Sequence, residues 1–245
     1  MVSIERILCE KRKCLFLEKV WYYNPLKERE GFNMKIRWLG HASFLLESQS
    51  GTKIVTDPFD GSVGYKIPKI EADIVTVSHD HYDHNYVEGV QGDPEIVKTS
   101  GECTIDGVSI KGIPAFHDEV KGAKRGPIII FVFEIDGLRI CHVGDLGHLL
   151  SKAQEEQIGK IDVLLIPVGG TFTLDAEGAA AVVNQLSPKM VIPMHFKTPA
   201  VSMPIDSVDK FLEKVGGGEH LESTTIEITP ETLGEKLRVV VLNYE

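Results

Sequence analysis

The sequence predicts an α/β protein of packed sheets covered by helices. Short apolar, β-branched runs dominate from residue 35 onward, turn residues separate them, and helical composition enters only between later strands. Strands are expected at 35–39, 43–47, 53–56, 73–77, 108–113, 128–135 and 138–143. Asp136-Gly137 joins the last two as a tight hairpin, because Asp and Gly tolerate the positive φ that such turns need. Residues 161–167 read as another buried strand. The alanine-rich 175–186 reads as a helix, stopped at Ser187-Pro188 where proline cannot continue the hydrogen-bond ladder. A strand at 190–193 follows, then a short helix at 206–215 closed by Gly216-Gly217-Gly218, and strands at 224–228 and 237–243.

A chain of 245 residues with 42% hydrophobic content can bury one sizeable core. We expect a main domain over 34–245, without internal repeats, preceded by an N-terminal extension over 1–33. The extension carries more Lys and Arg than Asp and Glu, unlike the remainder, and either an appended helix or a passenger segment from an upstream start fits it. A net charge of −10 argues against nucleic-acid partners, which call for a basic stripe. No apolar stretch approaches a membrane span, and the N-terminus lacks a signal-peptide core. The 4 cysteines (Cys9, Cys14, Cys103 and Cys141) are too scattered for a disulfide framework or a Cys-x-x-Cys metal site, so a cytoplasmic location is expected.

Chemistry concentrates at the ends of the strands. His79-Asp80-His81-Tyr82-Asp83-His84 follows the apolar run Ile74-Val75-Thr76-Val77, so a rigid strand end delivers several metal-binding side chains together. His117 follows Ile113-Pro114-Ala115-Phe116, and His195 follows Val191-Ile192-Pro193-Met194. Asp145 follows Gly144 at the end of another strand, where it could bind a cation or cap a turn. Imidazole and carboxylate together suit zinc, which keeps an open position when it is catalytic.

The string His79-x-His81-x-Asp83-His84, with His117, Gly144-Asp145 and His195 in that order, resembles the metallo-β-lactamase superfamily of binuclear metallohydrolases. Leu39-Gly40-His41-Ala42-Ser43-Phe44, Thr56-Asp57-Pro58-Phe59, Val168-Gly169-Gly170-Thr171-Phe172-Thr173 and Ile192-Pro193-Met194-His195 are similar to its ascorbate-6-phosphate lactonase-like branch. The N-acyl-phosphatidylethanolamine phospholipase D enzymes are more distant. The resemblance implies a four-layer αββα sandwich holding two Zn2+ ions, with Mn2+ or Fe as alternatives. It implies that His79, His81 and His117 hold the first metal, that Asp83, His84 and His195 hold the second, and that Asp145 bridges them. A metal-bound hydroxide would then be the nucleophile.

Other residues can serve such a centre. Asp57 can orient a metal-bound imidazole or simply initiate a turn at Asp57-Pro58. His41 can face the metals from the opposite sheet or make a structural hydrogen bond, and Asp83 is both ligand and catalytic candidate. His148 is a candidate proton donor to the leaving group. His142 is expected in the core and His220 on the surface. Lys121, Lys124 and Arg125, in the segment after His117, and Lys197, after His195, are candidates for binding a substrate anion, against the bland alternative of an exposed charged hairpin.

These residues point to a zinc-dependent hydrolase acting on a small anionic ester, either a lactone or a phosphodiester, with oligomeric state left open. Three other readings compete. A flavodiiron-type redox enzyme would place a carboxylate where His81 stands. An RNA-processing nuclease of the same superfamily conflicts with the acidic charge. A full ligand set does not exclude a metal-stabilised binding protein without turnover, since catalysis also needs a substrate pocket.

Overall fold

The computed structural model describes residues 33–67 and 69–244, so the expectation for the 1–33 extension lies outside the described residues except for Asn33. In chain order, β1 spans Met34–Gly40, β2 Ser43–Glu47, β3 Lys53–Thr56, β4 Ile74–Thr76, β5 Glu95–Val97, β6 Gly101–Ile105 and β7 Val108–Phe116. Next come β8 at Pro127–Ile135, β9 at Leu138–His142, α1 at Lys152–Ile158, β10 at Val163–Pro167, α2 at Ala176–Leu186 and β11 at Met190–Met194. Then α3 spans Asp209–Val215, β12 Glu219–His220, β13 Thr225–Ile228, α4 Pro230–Leu233 and β14 Arg238–Val241.

These strands form a 6-stranded sheet in the order β13-β1-β2-β3-β4-β5 and an 8-stranded sheet in the order β12-β14-β11-β10-β9-β8-β7-β6. The fold is the αββα sandwich. Alternation along the first sheet divides its side chains between two cores, as a period of two requires. Ile36, Trp38, Phe44, Leu46, Ile54 and Ile74 join Ile110, Phe131, Phe133 and Ile140 of the second sheet in the larger core. Leu45, Val55 and Val75 turn the other way and pack with Phe59, Val63, Tyr65 and Ile205. Phe133 is fully buried, and truncating such a ring to Ala costs about 3–5 kcal/mol.

Helices α2 and α3 add Val182, Val183, Leu186 and Phe211 to the larger core. Asp175 caps α2 by accepting from the Gly178 N–H, and a Ser151–Gln154 capping box starts α1. Among the described residues the second apolar cluster holds no α-helical residue; its helical content is Val63 of a 3-10 turn at Gly61–Val63 and Val87 of another at Val87–Gly89.

Several elements depart from expectation. The strands β5, β6 and β12 and the helices α1 and α4 were not anticipated. β7 runs on to Phe116 instead of ending at 113, β10 starts at Val163 instead of 161, and α3 starts at Asp209 instead of 206. β5 and β6 lack the apolar alternation that marks a strand because they are mostly exposed.

Strand direction explains why one edge of the sandwich collects the chemistry. β3 runs parallel to β4, while β1 reaches the same direction through two antiparallel pairings, by way of β2. β9, β10 and β11 are parallel, and β7 reaches their direction through β8 in the same way. His41, Asp57, the 79–84 loop, His117, Asp145 and His195 thus all follow carboxyl ends of strands, the usual place for a site in such sheets.

Candidate metal centre

The seven residues anticipated as metal ligands converge. The ligand atoms of His79, His81 and His117 lie within 4.8 Å of one another, and so do those of His41, Asp83, His84 and His195. His79 Nε2 and His81 Nδ1 are 3.0 Å apart. Nitrogens bound at about 2.0–2.1 Å to one zinc stand roughly 3.0–3.4 Å from each other, so the spacing fits a shared cation. Between the two groups lies Asp145, whose Oδ2 is 3.2 Å from His117 Nε2, 3.2 Å from His84 Nε2 and 3.4 Å from His195 Nε2.

Close backbone approach makes this convergence possible. Gly144 has φ +53, and a Cβ there would stand 2.8 Å from the Ser78 side chain. A Cβ at Gly147 would meet the His117 carbonyl at 2.4 Å. Larger residues at either place would push Asp145 away from the histidines.

Asp57 is buried and ties two of the histidines together. Its Oδ1 accepts from the Ser78 N–H at 2.7 Å, and its Oδ2 from Ser78 Oγ at 2.6 Å and His84 Nδ1 at 3.0 Å. Ser78 Oγ in turn lies 2.9 Å from His79 Nδ1. With Ser78 donating to Asp57 and accepting from His79, both imidazoles carry their proton on Nδ1, which leaves Nε2 available for a metal. The turn-initiating alternative for Asp57 thus gives way to an orienting one. Ser78 was missed from sequence, although its place directly before His79 is a signal that could have found it.

His41 is buried with φ 52, a backbone conformation that few side chains adopt. Its carbonyl accepts from the His195 N–H at 3.1 Å and from Trp38 Nε1 at 3.0 Å, which fixes that geometry. Its Nε2 lies 3.1 Å from Asp83 Oδ2. His142 is buried in the core with Nε2 donating to the Ala42 carbonyl, and His220 is exposed, as expected for both. His148 stands apart: Nδ1 donates to the Leu149 carbonyl at 2.7 Å, and Nε2 accepts from the Phe116 N–H at 3.2 Å. Both ring nitrogens are thereby engaged by backbone, and His148 does not line the cavity over the centre.

Electrostatics favour a cation here. Burial, then His84, pushes His79 down to about 3, and burial, then His195, pushes His41 down to about 4. Both are neutral at pH 7, as a ligand or a hydrogen-bond donor should be. Burial opposes charge on Asp145, but His195 and His84 outweigh it and hold the carboxyl well below its usual range. Burial likewise opposes charge on His84, yet Asp145 and Asp57 on either side raise it well above an ordinary imidazole. His84 Nε2 and Asp145 Oδ1 are buried without a hydrogen-bond partner. A buried carboxylate needs positive charge beside it, and this donor set can exchange a proton for a metal.

The segment after His117 is ordered by its own first residue. Asp118 is buried and accepts four backbone N–H groups, from Val120, Gly122, Lys124 and Arg125. Those bonds outweigh the effect of burial and hold its carboxyl down at about 2. Lys124 and Arg125 line a cavity of about 430 Å3 over the histidines, together with Tyr82, Phe172 and Met203. Lys121 and Lys197 do not line it, and Lys197 Nζ instead donates to the Met203 carbonyl. Tyr82, Phe172 and Met203 were not anticipated, because nothing in a sequence marks loop residues as neighbours across a cavity.

A sandwich with histidines and aspartates from six strand ends at one edge defines a metallohydrolase-type centre. Residues 35–195 match the β-lactamase superfamily domain. A UPF0173 metal-dependent hydrolase from Thermococcus kodakarensis is 34% identical, with 67% of this chain covering 85% of that protein. Another from Methanoculleus marisnigri is 31% identical, with 82% of this chain covering its full length, 100%. The crystal structure of a candidate Zn-dependent hydrolase of the metallo-β-lactamase superfamily from Thermotoga maritima superposes with a TM-score of 0.74 at 42% identity. That match covers 86% of this chain and 100% of the other. The chain belongs to the metallo-β-lactamase superfamily, among its metal-dependent hydrolases. Among the described residues no helix is long and apolar enough to cross a membrane.

Proposed function

We propose that the chain is a binuclear zinc hydrolase of small anionic esters. The observation that carries this reading is the position of Asp145 Oδ2, within 3.4 Å of histidine nitrogens from both ligand groups. His79, His81 and His117 would hold one ion, Asp83, His84 and His195 the other, and Asp145 would touch both. Zinc bound there would lower the pKa of water to roughly 7 and polarise the ester oxygen.

The protein's own residues supply the rest. Asp57 and Ser78 orient His84 and His79, and His41 positions Asp83. Arg125, and Lys124 although it is paired with Glu119, bring positive charge to the cavity of a chain whose net charge is −10, which favours an anionic substrate there. We assign no substrate contact to Lys121 or Lys197. His148, with both nitrogens on backbone groups, receives a structural role in this account. Cys141 is buried as a free thiol and Cys103 is also unpaired, in keeping with a cytoplasmic setting.

Elemental analysis and a panel of lactones, phosphomonoesters and phosphodiesters at neutral pH test the reading. Turnover that vanishes on chelation and returns with zinc is expected. Bound metal without turnover on any ester would instead favour a metal-stabilised binding protein.

A further inference from the structure

The motif 168–173 has no part in holding metal, yet it builds one wall of the cavity. Thr171 has φ 61, a left-handed conformation that strains a β-branched residue. Two bonds hold it there: its Oγ1 donates to the Pro204 carbonyl at 2.8 Å, and its own carbonyl accepts from Arg125 Nη2 at 3.0 Å. Phe172 follows at once and stands in the cavity wall, with the Arg125 guanidinium carbon 5.7 Å from the centre of its ring. Tyr82, 58% exposed, and Met203 complete an apolar rim. No other large hydrophobic side chain among the described residues is as exposed as Tyr82.

We propose that Arg125, Phe172, Tyr82 and Met203 form a specificity subsite for a planar, apolar group carried beside the scissile anionic ester. This rests on the hydrolase reading above and narrows its substrate class to esters with an aryl or similarly flat substituent. Two aromatic rings and a guanidinium plane reward a flat partner more than a short alkyl chain, and methionine adapts to its outline. The Arg125 fork keeps further N–H donors for the substrate's anion beyond the one that reaches Thr171. The two hydrogen bonds that keep Thr171 in its strained conformation place Phe172 in this wall.

The test uses the full-length, zinc-loaded protein with two matched pairs of probes. Phenylphosphonate and methylphosphonate binding is measured by titration calorimetry. Trifluoroethyl phenylphosphonate and trifluoroethyl methylphosphonate, anionic esters that share a non-aromatic leaving group, are compared by kcat/KM from fluorine NMR, each normalised to its uncatalysed rate. Phenylphosphonate should bind roughly tenfold more tightly than methylphosphonate, and the esters should follow the same order. Phe172→Leu, which keeps apolar packing but removes the ring, should bring both ratios close to one at unchanged zinc content. Arg125→Lys should lower affinity for both phosphonates. Equal binding of the two phosphonates, or ratios that Phe172→Leu leaves intact, would overturn the subsite. Preferential phenyl binding without turnover of either ester would uphold the subsite and count against phosphorus-ester hydrolysis, leaving lactones as the ester class. Turnover of both esters at equal normalised rates would do the reverse.

Discussion

Asp57 Oδ2 accepts a hydrogen bond from His84 Nδ1 at 3.0 Å and another from Ser78 Oγ at 2.6 Å, and Ser78 contacts His79. One buried carboxylate therefore sets the orientation of an imidazole in each of the two ligand groups. Asp57→Asn keeps the size but weakens the acceptor, and loss of such an orienting partner lowers metal affinity about 10–100-fold. Competition with a chromogenic chelator measures this, with both ions expected to weaken. Unchanged affinity would leave Asp57 a purely structural turn residue.

His41 bonds Asp83 and packs against His84 and His195, all three in the second ligand group, so its loss should be felt by one ion. His41→Asn suits the left-handed backbone at this position, where φ is 52, and isolates the loss of the imidazole. Zinc per chain should fall from two towards one at limiting metal. An equal loss of both ions would mean that His41 supports the whole edge.

The cavity separates the four basic candidates. Arg125→Ala and Lys124→Ala should each raise KM for an anionic ester about tenfold or more, since a charged hydrogen bond contributes about 1.5–3 kcal/mol. Lys121→Ala and Lys197→Ala should leave KM within error. Equal effects at all four would point to a diffuse field in place of direct contact.

Acid should weaken the metal-stripped protein well before its carboxylates titrate. His79 and His41 titrate at about 3 and about 4 when folded, against 6.5 for a free imidazole. As pH falls below 6.5 the unfolded chain takes up protons that the folded chain refuses, so stability drops between 6.5 and 4. His84 acts oppositely: its raised value adds stability at low pH that is lost as pH climbs through it. His81 and His142 are also shifted down, chiefly by burial, so four depressed histidines against one raised should leave a falling urea midpoint across that window. A flat midpoint would contradict the shifts.

Much of this was legible in the sequence because metal ligation constrains both residue type and place. His117 and His195 stand out only because each ends an apolar strand, and the structure puts both beside Asp145. The strands with alternating or continuous apolar runs were legible for the same reason: burial dictates them. β5 and β6 were not, since exposed edge strands carry no such pattern. The seven-residue α1 was missed although its Ser151–Gln154 capping box is written in the chain. The His41–Asp83 contact and the Tyr82–Phe172–Met203 rim join segments far apart in sequence, and only the folded topology brings them together.

Zinc stoichiometry tests the central claim most directly. Metal-free protein titrated with zinc and analysed by elemental content should bind two ions per chain, with Asp145→Ala holding fewer than two. A single equivalent in the unaltered protein, or full occupancy in the Asp145 variant, would contradict a shared centre.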